Sequence, residues 1–270
     1  MVSRESKHDF SRPIAQQRKR IYTACAAWAT LLVLACILLV GAGVFPLEPT
    51  GFIMTALLIP AIFTPPIVAW RDAPGESRTQ LEKAYEFILV WFPITAIGSE
   101  IAWELPWLVG DLFGWMNFTG NDPWGFYWSF YGFADTRYLE SDPSLWAMEV
   151  VAVAGGISML VQFLRLRNAN ADDRTRINAL WWSLFTVSLM VAVCVIYYVS
   201  EIRFGLVHLQ QGFWGLTVKI ILVNIPWMVA PLITVPLCVR LLSYLIRQDA
   251  LASVGTTDDP VRRTAEASAT

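Results

Sequence analysis

Glu100 and Glu104 stand four residues apart in an apolar stretch of a 270-residue chain. On a helix that spacing puts both carboxyls on one face. Two like charges so close in a medium of low dielectric do not both ionise, so one of the two carries a proton near neutral pH. The pair can therefore supply an acid and a base together. Glu149 and Glu201 lie in two further apolar stretches, and an ionisable group in a membrane span costs roughly 2.5–3.5 kcal/mol on insertion scales. Such residues usually face a bundle interior. Glu86, one turn from a span end, is expected to reach water and is set aside. The two histidines, His8 and His208, form no metal-binding motif, and HExxH, Walker A, nucleophile-elbow and Cys/His-cluster patterns are all missing. Neither a metal nor a cofactor is expected. What remains is proton chemistry by carboxylates in apolar surroundings, with aromatic faces able to stabilise a cation.

Six apolar stretches must position these groups: Ile21–Val44, Phe52–Trp70, Ala84–Leu112, Leu145–Leu164, Asn178–Ser200 and Leu216–Leu242. Each approaches or exceeds the roughly 20 residues that cross a bilayer. The chain is 56% hydrophobic and only 16% charged, well below the quarter usual for soluble domains. The expected fold is an all-α polytopic bundle of six transmembrane helices. Lys and Arg set its orientation. Of the 20 basic residues, Arg137, Arg203 and Lys219 alone fall on one side. The rest crowd into the N-terminal tail, the second and fourth connections and the C-terminal end. Positive residues stay cytoplasmic, so both termini are expected there. The first apolar run is longer than a signal-peptide core. Cys25, Cys36, Cys194 and Cys238 all lie in spans and read as small buried side chains.

On this topology Glu100, Glu104, Glu149, Asn224 and Trp227 occupy similar depths near the outer face, and Glu201 closes the outer end of the fifth span. Above them runs a long connection from Phe113 to Ser144. Its aromatic residues, among them Trp115, Phe118, Trp124, Tyr127, Trp128 and Tyr131, suggest a cap at the membrane interface. Asp111, Asp122, Asp135, Arg137, Glu140 and Asp142 are threaded through it. Residues 1–20 and 248–270 are expected to be cytoplasmic tails, disordered at the C-terminal end and, by composition, at the N-terminal end too.

Within the cap, Trp128, Tyr131, Asp135, Arg137, Tyr138, Asp142 and Glu149 fit a W-x-x-Y-x-x-x-D-x-R-Y-x-x-x-D-x(6)-E pattern without a gap. The segment thereby resembles the emopamil-binding protein family, which shares the EXPERA domain. Three more segments follow the family in order: Trp103, Glu104 and Trp107; Tyr197 through Glu201, Arg203 and Gly205; and Asn224, Trp227 and Pro231. The resemblance covers about residues 80–245. It implies a five-helix membrane domain over 45–247, preceded by an additional helix at 21–44. It further implies an activity like that of the sterol Δ8–Δ7 isomerases, in which a ring alkene is protonated and the carbocation loses a proton elsewhere. Carried over by position, Glu104 and Glu149 form the acidic pair, with Glu100 beside them. Asn224, Trp227, Trp103, Tyr197 and Glu201 line the substrate site, and Asp135, Arg137, Tyr138 and Asp142 pin the loop. Two positions depart from the isomerases: Glu100 replaces a histidine and Ala152 a threonine.

Three functions stay open: an isomerase of a sterol or other isoprenoid lipid, a terpenoid or meroterpenoid cyclase using the same acid-initiated chemistry, and a non-catalytic sterol or lipid binder. The partners implied are the bilayer, a small hydrophobic isoprenoid or sterol and, as an option, a second copy in a homodimer. Nucleic acid is not among them. The membrane is either the bacterial plasma membrane or the endoplasmic reticulum. The orientation is directly testable. A reporter fused after Thr270 reads cytoplasmic and one inserted near Asn121 reads extracytoplasmic; finding both on one side would overturn the six-span arrangement.

Overall fold

The computed structural model describes residues 8–114 and 123–257. Among them the chain is all α-helical, with a single isolated β-bridge between Asp135 and Leu209. Six helices are long and apolar enough to cross a membrane: α1 (Gln16–Gly41), α2 (Leu47–Ala69), α3 (Gln80–Leu112), α6 (Pro143–Leu166), α7 (Asp173–Phe204) and α8 (Gly212–Ser253). Between α3 and α6 lie two short helices, α4 (Phe126–Gly132) and α5 (Arg137–Glu140). The chain is a multi-pass membrane protein. Trp115, Phe118 and Asp122 of the expected cap lie outside the described residues, as do 1–7 and 258–270.

Each apolar stretch corresponds to one long helix, although α1 stops at Gly41 and α2 at Ala69, short of Val44 and Trp70; α3, α6 and α7 start further out because polar side chains cap them. Thr79 accepts from the Glu82 N–H while Glu82 accepts from the Thr79 N–H, a reciprocal box that starts α3. Asp172 caps α7 by accepting from the Thr175 N–H at 2.8 Å. Asp142 caps α6 through Ser144 and Leu145, with Pro143 at the first helical position. Gly205, at φ +81°, ends α7 in the left-handed region that a side chain would strain.

The helices assemble with two distinct ends. At the basic end the start of α3 meets the end of α6, where the Tyr85 hydroxyl donates to the Leu166 carbonyl at 2.6 Å. At the opposite end α4 and α5 form a cap. One apolar core, including Ile88, Phe92, Leu180 and Leu241, fills the bundle toward the basic end. A second, of Trp107, Trp128, Tyr131, Tyr138, Leu145 and Tyr197, lies beneath the cap. The hairpin of α1 and α2 makes a third with the cap, built on Cys36, Val40, Met54 and Phe126. Gly51 of α2 allows this approach, since a Cβ there would sit 2.2 Å from the Phe130 ring.

Two expectations at the basic end are corrected. The N-terminal segment is docked from His8 onward: Phe10 packs 5.0 Å from the Tyr85 ring, and the Asp9 N–H donates to Glu82 at 2.7 Å. At the other terminus the helix continues past Leu242 through Ser253. Glu86 does not reach water either. It is 6% exposed, accepting from Arg18 Nε and the Tyr22 hydroxyl, each at 2.7 Å, and from Arg78 at 2.7 Å. Arg18 also pairs with Glu76. The reason is stoichiometric: two guanidiniums that enter the bundle end need carboxylates there, and Glu86 and Glu76 supply them. The Arg18 guanidinium holds the Glu76 carboxyl down at about 2. Because that value is depressed, the pair stabilises the fold fully above the ordinary carboxylate value of 4.5 and loses its contribution as pH falls toward 2. Replacing Glu86 by Gln leaves Arg18 to Glu76 and Arg78 to Glu76 and Asp72, and is expected to cost about 1–3 kcal/mol. Thermal unfolding in detergent measures this as a large drop in midpoint, whereas Arg71→Gln, at an exposed position, stays within about 0.5 kcal/mol of the parent.

Candidate active site

The middle of α3 is wound more widely than an α-helix. Ile94–Glu104 is π-helical, lying just after Pro93 and just before Pro106, and the Leu105 N–H donates to the Glu100 carbonyl five residues back. Pro106 has no N–H for the carbonyl four residues behind it, so the ladder changes pitch there. The widened segment delivers Glu100 and Glu104 to α6. Contact is close because α6 has no side chain at the crossing point: a Cβ on Gly156 would lie 2.4 Å from both Glu100 Cβ and Cγ. Gly155, on the same turn, meets Met190 of α7 in the same way.

The Glu104 and Glu149 carboxyls come within hydrogen-bonding reach of each other across the α3–α6 interface. A hydrogen bond between them requires that one carry a proton, because an ionised carboxylate can only accept. Glu149, 6% exposed, also accepts from the Tyr138 hydroxyl of α5. Burial, reinforced by the Glu149 charge, holds the Tyr138 phenol well above its ordinary value, so it remains a donor. Glu100 is 4% exposed. Glu100 and Glu104 each keep a buried Oε2 with no hydrogen-bond partner among the described residues. Cys194 of α7 lies near all three carboxyls. The cluster is thus three carboxyls, two of them with an open oxygen, and one phenol, enclosed in apolar packing.

The cap closes over this cluster through its aromatic residues. Trp128 Nε1 donates to the Trp103 carbonyl at 2.9 Å, and Trp107 Nε1 to the Tyr138 carbonyl at 3.2 Å. The Trp103 ring meets Tyr131 and Tyr138 edge-on at 5.4 and 5.2 Å. An ionic latch then ties the cap to α7. Arg137, 1% exposed, forks onto Asp135 at 2.9 and 2.6 Å and lies 4.4 Å over the Tyr197 ring. Its Nε is 3.6 Å from Glu201, which also accepts from the His208 backbone N–H at 3.0 Å. The Thr136 N–H donates to the His208 carbonyl and the Gln210 N–H to the Ala134 carbonyl, at 3.0 and 2.9 Å. A hydroxyl chain continues inward, with Tyr131 and Tyr197 3.1 Å apart and Asn224 Nδ2 donating to Tyr131 at 2.8 Å.

The structure therefore brings Glu100, Glu104, Glu149, Trp103 and Tyr138 together. Asp135, Arg137, Tyr197 and Glu201 form the adjoining latch, joined to Asn224, while Asp142 serves the helix start. Trp227 stands apart from them: its ring faces Trp91, 5.5 Å away, in the core toward the basic end. Sequence reasoning missed the Tyr138–Glu149 contact, for which a separation of 11 residues offered no periodic signal. It also missed Lys219. That lysine is fully buried, bonded to both oxygens of Glu48 at 2.9 Å, with its ammonium 4.1 Å over the Phe130 ring. A lone lysine inside an apolar run, with Glu48 at the head of another, was the available clue.

Compared with known protein families, curated proteins and solved structures, the chain shows no match.

Arg137→Ala leaves Asp135 buried without its cation and is expected to destabilise the fold by about 3–5 kcal/mol. Asp142→Ala removes only a helix cap, worth about 1 kcal/mol. Thermal unfolding of the two variants in detergent should separate them in that order; equal midpoints would show that the latch contributes nothing beyond a cap.

Proposed function

We propose that this protein is a membrane-embedded isomerase that moves a double bond in a sterol or other isoprenoid lipid. A proton from the carboxyl cluster adds to the alkene, whose π pair forms the new C–H bond and leaves a carbocation on the neighbouring carbon. A C–H bond next to the cation then breaks. Its electron pair closes the shifted double bond, and the proton passes to a carboxylate of the cluster. Protons and electrons balance with no redox partner.

The observation that carries this reading is the Glu104–Glu149 carboxyl pair, brought within hydrogen-bonding reach across two helices in apolar packing beneath the cap. Such a pair holds one transferable proton and one negative charge, which are the needs of a carbocation mechanism. The correspondence of the cap residues with the emopamil-binding pattern supports the same reading and suggests the substrate class. Glu100 keeps cyclisation of a terpenoid as the second reading, because a third carboxyl with an open oxygen can serve a cation that travels along a longer chain.

The test is product analysis of purified protein in bilayers, supplied with sterol and linear prenyl substrates. The expected result is a product of unchanged mass in water, carrying one solvent deuterium when made in D₂O. Glu104→Gln and Glu149→Gln should each slow conversion by roughly a hundredfold or more. Conversion should survive EDTA; loss on chelation with recovery in Mg²⁺ would overturn the mechanism in favour of diphosphate ionisation. Absence of conversion with every substrate, together with equal binding of lipophilic amines and their neutral isosteres, would make the protein a plain lipid binder.

A further inference from the structure

The carboxyl pair is not symmetrical. Glu149 accepts from the Tyr138 hydroxyl. Glu104 has no such donor, and its Oε2 is buried with no hydrogen-bond partner among the described residues. A negative charge on Glu104 would leave that oxygen unsolvated in an apolar site, whereas the same charge on Glu149 is met by the phenol O–H. Tyr138 cannot easily turn away. Its ring is fixed edge-on by Trp103, Trp107 and Tyr131 at 5.2, 5.1 and 5.1 Å.

We propose that Tyr138 is a positioning residue that gives the pair a fixed polarity. Glu149 is the charged member, Glu104 holds the proton, and Glu104 is the carboxyl that exchanges a proton with the substrate. The last clause rests on the proton-transfer function proposed above; the polarity does not. In the uptake step the substrate C–H bond breaks, and its electron pair forms the new double bond. Glu104, having given its proton to the alkene, takes the released proton back. It ends protonated, as it began, and Glu149 stays charged throughout and never touches the substrate.

Infrared difference spectroscopy of the protein in bilayers, in H₂O and D₂O, tests the polarity without any substrate. The parent should show an exchangeable carbonyl-stretch component of a protonated carboxylic acid that disappears in Glu104→Gln. Tyr138→Phe keeps the ring and its aromatic contacts but removes one donor from Glu149. The proton is then shared more evenly, and that component should shift and broaden. With a turned-over substrate, Tyr138→Phe should lower kcat on the order of tenfold or more while KM stays within roughly twofold, and the isotope effect from deuterium at the substrate C–H should rise. A component that survives Glu104→Gln, or one that Tyr138→Phe leaves unmoved along with kcat, would overturn the proposal. If the parent converts no isoprenoid substrate, the function proposed above fails, and the infrared result still decides the polarity.

Discussion

A carboxyl group carried into hydrocarbon has to find a hydrogen-bond partner there, and for Glu104 that partner is another carboxyl from the neighbouring helix. Much of the architecture around it serves this contact. α3 opens into a π-helical segment so that Glu100 and Glu104 can reach α6. α6 presents bare backbone at Gly156 so that it can receive them. α5 supplies a phenol to the second carboxyl, and the ionic latch of Asp135, Arg137 and Glu201 holds α5 in place. An apolar pair at 104 and 149 would remove the desolvation penalty that these features offset.

The helical framework could be read from the chain because the bilayer imposes it directly. Twenty or so apolar residues with basic flanks have one stable disposition, and the six stretches from Ile21 to Leu242 each became one helix. Glu100, Glu104 and Glu149 were legible for the same reason, as charges placed where charges are costly. Glu86 was misread because depth along a span was taken for access to water. Arg18 and Arg78, arriving from other segments, close that route. The docked segment at His8–Ile14 was missed because its polar composition resembles a tail, and the rings that hold Phe10 come from positions 85 and 244. The widening of α3 has a local signature in Pro93 and Pro106, but prolines in a span announce a kink and not its pitch.

Ionic pairing recurs at each end of the bundle by different means. At the basic end it is a shared network of two arginines and two glutamates. At the cap end two separate locks operate, Arg137 on Asp135 and Lys219 on Glu48. The second lock joins the α1–α2 hairpin to α8 and passes through Phe130 of the cap. The hairpin, whose first helix the sequence suggested as an addition to a five-helix pattern, is therefore wired to the cap by charge as well as by the contacts of Phe126.

The cap also sets what an opening would cost. The carboxyls lie beneath Trp103, Trp107 and Tyr138, and lifting α4 and α5 away from α7 would part Arg137 from Glu201 and from the Tyr197 ring. Hydration of the cluster through the cap is thereby tied to the breaking of one buried ionic contact.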